Sequence, residues 1–281
     1  MVKNTRLGKL YIVSTPIGNL GDITHRSIEV LNKVDLCLVE DTRVARKLLN
    51  HYQVKTRLLS YHRFSEKKKL EQIITKIKDG QVLALLSDAG TPLISDPGFL
   101  LVQEVVSIGA EVVVCPGPSS VIAALTASGF NLENFSFFGF SPSSLSQKRG
   151  FLREMMHKSE TLVFFETPRN ILKTLGELDA LMPERLVCVC REMTKLYETY
   201  YRGTPSELME RLKKDPNAGK GELVVVLSPV TKRKSKDNTL NEEEIRVLRL
   251  ISSSLSVNES SKIAAKIFNK RKKIFYDFLS D

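Results

Sequence analysis

Apolar residues along the first half of the chain follow two alternating periods. Short apolar runs at 10–13, 34–39, 82–86 and 110–115 have the length and content of buried strands. Between them, 23–31, 42–51 and 66–79 repeat apolar positions every three to four residues, as an amphipathic helix does. Strand and helix in alternation predict a mainly parallel sheet. Such sheets bind ligands at the carboxyl ends of their strands. The second half has a different texture. A helix at 118–128 opens with Pro118 in its first turn. Strand-like runs follow at 135–140, 161–165, 186–190, 197–201 and 223–227, with helical spacing at 147–157, 170–181 and 206–214. This predicts a second α/β unit with some antiparallel pairing. The boundary falls near Cys115-Pro116-Gly117, giving an N-terminal α/β domain over 1–116 and a second over 117–230.

After Pro229 the pattern changes again. Residues 231–238 (Thr-Lys-Arg-Lys-Ser-Lys-Asp-Asn) form a basic, turn-prone linker. Helical periodicities follow at 242–255, 260–268 and 272–279, so 231–281 reads as a basic linker and a helix-turn-helix-like tail. The charge balance sharpens this reading. The chain carries 42 Lys and Arg against 32 Asp and Glu, a net +10. The tail holds 12 of the basic and 7 of the acidic residues, hence +5. Such an excess points to an anionic partner such as nucleic acid. For the tail, RNA contact and a merely solvated helical face stand even, because helix-turn-helix shapes also serve as packing units.

With 42% apolar and 26% charged residues the chain has the composition of a folded globular protein. No apolar run approaches the roughly 18 residues of a membrane span. No secretory signal is visible near residue 1. Cys37, Cys115, Cys188 and Cys190 each sit in an apolar run without His or Cys partners at metal-ligand spacing. They are expected to be reduced, buried residues of a cytoplasmic protein that holds no metal.

Four turns after predicted strands combine small residues, Gly, Pro and, in three of them, a carboxylate. They lie at 15–22 (Thr-Pro-Ile-Gly-Asn-Leu-Gly-Asp), 87–98 (Ser-Asp-Ala-Gly-Thr-Pro-Leu-Ile-Ser-Asp-Pro-Gly), 115–120 (Cys-Pro-Gly-Pro-Ser-Ser) and 165–169 (Phe-Glu-Thr-Pro-Arg). Gly admits close approach and positive φ, and Pro fixes the chain path, so these turns present rigid backbone donors and acceptors. None is a Walker loop or a dinucleotide G-x-G-x-x-G. Singly, each is ordinary punctuation.

Together with Glu40-Asp41-Thr42-Arg43 and Arg191-Glu192-Met193-Thr194-Lys195, these turns resemble the ribosomal RNA small subunit methyltransferase I family. That family lies within the tetrapyrrole methylase superfamily. The resemblance runs in order from residue 9 to about 228, and more loosely through the tail, whose Ile251-Ser252-Ser253-Ser254-Leu255 departs from the Gly- and Leu-rich helices usual there. It implies a two-domain, class III methyltransferase fold with a small helical C-terminal appendage. It implies S-adenosyl-L-methionine as cofactor and 2′-O-methylation of a cytidine in the decoding region of 16S rRNA. It also implies the small ribosomal subunit as partner and a homodimer. By position, Pro16, Asp88, Ala89, Gly90, Ser119, Ser120, Phe165 and Met193 would contact the cofactor.

A ribose 2′-hydroxyl is a weak acid, so a general base would help the transfer. Asp96, Asp88 and Glu166 are the leading candidates, with Glu192 and His62 behind them. Asp88 and Asp96 have a bland alternative as turn or helix caps. Arg26, Arg43, Arg63, Arg169, Arg191 and Lys195 are the candidates for RNA phosphate. Arg43 has the equal alternative of pairing with its acidic neighbours, and Arg191 and Lys195 that of internal ion pairs. Two other functions stay open: a tetrapyrrole or small-molecule methyltransferase, and a non-catalytic ribosome-binding protein on the same fold.

Overall fold

In the computed structural model, residues 7–230, 240 and 242–280 are described; the expected basic linker at 231–238 lies outside them. The chain divides into two compact units, Met1–Pro229 and Val230–Asp281. The first is built on two five-stranded sheets.

The first sheet takes β1 (Lys9–Val13), β2 (Leu36–Val39), β3 (Leu58–Ser60), β4 (Val82–Leu86) and β5 (Glu111–Cys115). Their order is β3-β2-β4-β1-β5 and every pairing is parallel. Helices α1 (His25–Lys33), α2 (Thr42–His51), α3 (Glu66–Lys78) and α4 (Phe99–Ser107) connect the strands. Both faces are covered, which is why β4 reads Val-Leu-Ala-Leu-Leu without polar alternation. Leu10, Ile12, Leu38, Leu83 and Leu85 pack with Ile73, Ile77, Leu101 and Val105. The alternate residues Val13, Cys37, Val39, Ala84 and Leu86 pack with Leu31, Ala45 and Leu49. The pattern did not disclose β3, which has only three half-buried residues at the sheet edge, too few to show a period.

The second sheet takes β6 (Phe135–Phe140), β7 (Thr161–Glu166), β8 (Val187–Arg191), β9 (Thr199–Gly203) and β10 (Leu223–Leu227). Its order is β6-β7-β10-β8-β9; β6 and β7 are parallel and the rest antiparallel, so the sheet contains the antiparallel pairing expected in part. One face packs on α6 (Leu145–Met156), α7 (Ile171–Leu181) and α8 (Pro205–Lys214) through Leu152, Leu175 and Leu208. The other packs on α5 (Ser120–Ser128) through Val121, Ala124 and Leu125, joined by Ile17 and Met193. Helix α5 starts at Ser120, with Ser119 as its cap, so Pro118 lies just outside it. The strand expected at 197–201 begins instead at Thr199, because Glu192 and Thr194 adopt positive φ and carry the chain out to Leu196 and Tyr197, both exposed.

All four cysteines are free and buried, and the Cys188 and Cys190 Sγ atoms lie 3.7 Å apart on one strand face. The second unit comprises α9 (Glu242–Ser252), α10 (Val257–Phe268) and α11 (Lys272–Ser280) around Leu248, Ala264 and Phe275. Ser256 and Glu259 form a capping box that starts α10, and Asn269 in the left-handed region ends it. No described helix is long and apolar enough to cross a membrane.

Candidate active site

The turns at the carboxyl ends of β1, β4 and β5 are laced into one body. Thr15 and Gly90 exchange backbone hydrogen bonds of 2.9 and 3.0 Å. The Thr15 hydroxyl donates to the Ser87 carbonyl (3.1 Å), and the Ser87 hydroxyl to that of Gly90 (2.8 Å). Thr91 donates to the Pro118 carbonyl at 3.0 Å and lies 3.1 Å from the Ser14 hydroxyl. The small hydroxylic residues of these turns thus replace the sheet's hydrogen bonding where the strands end. From the second sheet, the 193–195 loop closes on the first turn. A Cβ on Gly18 would lie 2.4 Å from Lys195 Cγ and 3.0 Å from the Met193 carbonyl oxygen. Glycine is required there by close approach rather than by its own dihedrals.

Together these segments enclose a cavity of about 410 Å³. It lies within the range of small-molecule and cofactor sites. Asp88, Ala89, Gly90, Ser119, Ser120, Phe165 and Met193 all line it, together with Asp96 and Glu166. Pro16 does not; it is buried, and its neighbour Ile17 supplies the wall. Ile17 and Ile94, within the turns at 15–22 and 87–98, also line it, as do Phe140 and Gly221, for which the sequence offered no warning. Leu93 and Ser95 hold φ of 75° and 71° in the loop beside Asp96, strain of the kind that clusters at functional sites.

The candidate bases separate by environment. Asp96 is partly buried, and no described residue donates a hydrogen bond to it. Burial first, then the charges of Glu40 and Asp88, push its carboxyl up to about 6. It caps no helix: Gly98 precedes α4 and makes no side-chain cap. Asp88 accepts from the Asp41 backbone N–H at 3.1 Å, and partial burial raises it as well. Burial and the Asp88 charge likewise raise Glu40, which the sequence placed in a motif but not among the candidate bases.

Glu166 is engaged otherwise. Its carboxylate receives the buried Lys148 ammonium at 2.6 Å, the Thr167 N–H at 2.7 Å and the Thr174 hydroxyl. Held this way, it anchors the end of β7. Glu192 accepts from Lys195 Nζ and the Glu222 N–H, both at 2.9 Å. The Nδ1 atom of His62 is buried without a described partner.

The basic candidates also divide. Arg26, Arg63 and Arg169 are exposed. Arg43 folds back on Asp41 at 2.6 Å, and its hydrogen bonds hold that carboxyl at about 2. Arg191 is buried, donating to the Lys220 carbonyl at 3.2 Å with Asp215 at 3.9 Å; this internal role withdraws it from an RNA-facing rim. Lys195 is paired with Glu192 and, at 3.1 Å, with Glu222. Among the described residues no group of three or more His, Cys, Asp or Glu is placed to hold a metal ion.

Two five-stranded sheets with a cavity lined by the turns at their strand ends have the architecture of the tetrapyrrole methylase class. The model of the Tetrapyrrole (Corrin/Porphyrin) Methylases matches residues 9–209. The solved structure of diphthine synthase superposes with a TM-score of 0.60 at 17% identity, covering 86% of this chain and 95% of that one. Over 276 residues the chain is 39% identical to ribosomal RNA small subunit methyltransferase I of Pasteurella multocida, 98% of each chain being covered. The Haemophilus influenzae protein of the same name is 40% identical over 272 residues, 96% of each. The chain therefore belongs to the tetrapyrrole methylases and, among them, to the ribosomal RNA small subunit methyltransferase I family. The methyl donor of this family is S-adenosyl-L-methionine.

Proposed function

We propose that this chain methylates the ribose 2′-oxygen of a cytidine in the decoding region of 16S rRNA. The supporting observation is a cavity lined by Gly-, Ser- and Thr-rich loops that carry two carboxylates raised by burial, Asp96 and Asp88, the first to about 6. It occurs in a chain about 40% identical, nearly end to end, to enzymes named for ribosomal RNA methylation.

The residues present fit the cofactor. Ile17, Phe165, Met193 and Leu223 give apolar wall, while Asp88, the Ala89-Gly90 backbone and the start of α5 at Ser119 and Ser120 give polar contacts. Bound there, S-adenosyl-L-methionine supplies an electrophilic methyl group on a cationic sulfur. The laced turns would fix the positions of both reactants, and positioning of that kind contributes about 7–11 kcal/mol. Asp96, ionised at neutral pH, takes the proton that the 2′-hydroxyl loses as its oxygen attacks. Asp88 and Glu40 keep that carboxylate basic by repulsion. Arg26, Arg63 and Arg169 hold RNA phosphates, with the tail adding affinity. We carry forward 116/117 as the division of the first unit, a homodimeric state and a cytoplasmic location as parts of the same proposal.

The test offers tritiated cofactor to small subunits lacking the modification and, in parallel, to a tetrapyrrole acid. Label in the subunit RNA supports the reading. Label in the tetrapyrrole alone, or cofactor binding without transfer, refutes it.

A further inference from the structure

Strand β6 contains one residue too many. Phe137 pairs with Val163 and Phe140 with Phe165, so three steps along β6 match two along β7. Gly139, with φ of 66°, absorbs the extra residue. Bulges of this kind re-aim side chains beside active sites. An uninterrupted strand would send Phe137 and Phe140 to opposite faces. The bulge brings them to the same one: both rings lie 5.0 Å from that of Phe165, tilted by 67° and 58°. Phe138 stays on the other face against Phe151.

The outermost ring of this trio is 62% exposed, although it lines the cavity. Phe140 and Phe165 are the only aromatic residues among the described lining, and Phe165 is the more covered. The bulge lies against the loop that carries Asp96, since a Cβ on Gly139 would stand 3.7 Å from Ser95 Oγ. Lys148 reaches the next residue, Ser141, and so fastens the strand end from behind.

We propose that Phe140 is the stacking platform for the base of the target nucleotide, a substrate-positioning residue at the cavity. The inference rests on the RNA reading above. A ribose can reach into the cavity only if its nucleotide leaves the helical stack, and the freed base then needs a new π-face. Phe140 offers one at the mouth, beside the proposed base, and carries no charge to desolvate.

The experiment compares wild type, Phe140→Ala and Phe140→Tyr in methyl transfer to unmodified small subunits, with equilibrium cofactor binding measured alongside. Loss of one base–aromatic stack predicts a fall in kcat/KM of about 5- to 150-fold for Phe140→Ala. That fall should be carried mainly by KM for the subunit. Cofactor Kd and thermal midpoint stay unchanged, and Phe140→Tyr restores most of the activity. Equal transfer by Phe140→Ala overturns the proposal. So does a weakened cofactor Kd, which would make Phe140 part of the cofactor wall. A wild-type enzyme that labels no RNA is a different result: it refutes the functional reading itself and takes the platform with it.

Discussion

Lys148→Met should be the most damaging single change in the first unit. The Lys148 and Glu166 side chains are 1% and 0% exposed and meet at 2.6 Å. Lys148 also donates to Thr174 at 2.8 Å and to Ser141. Removing one partner of a buried pair costs about 3–5 kcal/mol, because the other charge is left in a poorly polarisable interior. Glu166 would keep the Thr167 N–H and the Thr174 hydroxyl, which places the cost near the lower end, about 3 kcal/mol. For a unit of this size each kcal/mol moves the melting temperature by about 2–4 °C, so a drop of about 6–12 °C follows. The assay is thermal unfolding of wild type, Lys148→Met, Glu166→Gln and the double variant. Neutralising both partners removes the stranded charge, so the double variant should recover most of the loss. The single variant should also bind cofactor more weakly, since β7 ends in the cavity wall. A Lys148→Met protein melting within about 3 °C of wild type, roughly 1 kcal/mol, would show that the pair does not hold this wall.

Other expectations follow from the same geometry. Asp96→Asn should lower kcat by about 10²–10⁴-fold without changing cofactor Kd, and should abolish a limb of kcat/KM that in wild type rises with pH through about 6. Its effect on stability has the opposite sense. The folded protein binds this proton more tightly than the unfolded chain, so the contribution is full below pH 4 and lost as pH rises through about 6. Urea titrations should show that decline flattened in Asp96→Asn. Gly18→Ala drives a methyl into Lys195 and the Met193 carbonyl and should cost about 1–3 kcal/mol, with weaker cofactor binding by calorimetry. Removing 231–281 should reduce affinity for the small subunit and flatten its salt dependence in filter binding; an unchanged slope would leave the tail no role on RNA.

The strands and helices that bury apolar faces were legible in the sequence because burial imposes a period. Val82–Leu86 and Thr42–His51 lie where the pattern places them. Segments set by long-range contacts were not. Nothing local marks Leu58–Ser60 as a strand, since among the described residues it pairs only with β2, some twenty residues earlier. In the site, the Gly- and Pro-rich turns announced Asp88, Ala89, Gly90, Ser119 and Ser120, because backbone geometry is written in those residue types. The fate of each charge was not written there. Glu166 and Arg191 stand in motif segments, yet their partners Lys148 and Lys220 lie 18 and 29 residues away. Phe140 escaped notice because a strand of alternating residues assigns it to the wrong face; the bulge at Gly139 becomes visible only in the pairing with β7.

The central claim is that this cavity delivers a methyl group to one ribose of the small-subunit RNA. The most direct test is nucleoside mass spectrometry of 16S rRNA from unmodified small subunits incubated with the protein and deuterated S-adenosyl-L-methionine. The account predicts one new labelled nucleoside, 2′-O-methylcytidine, present with wild type and depleted with Asp96→Asn. Label on a base rather than a ribose, or on no nucleoside at all, would contradict it.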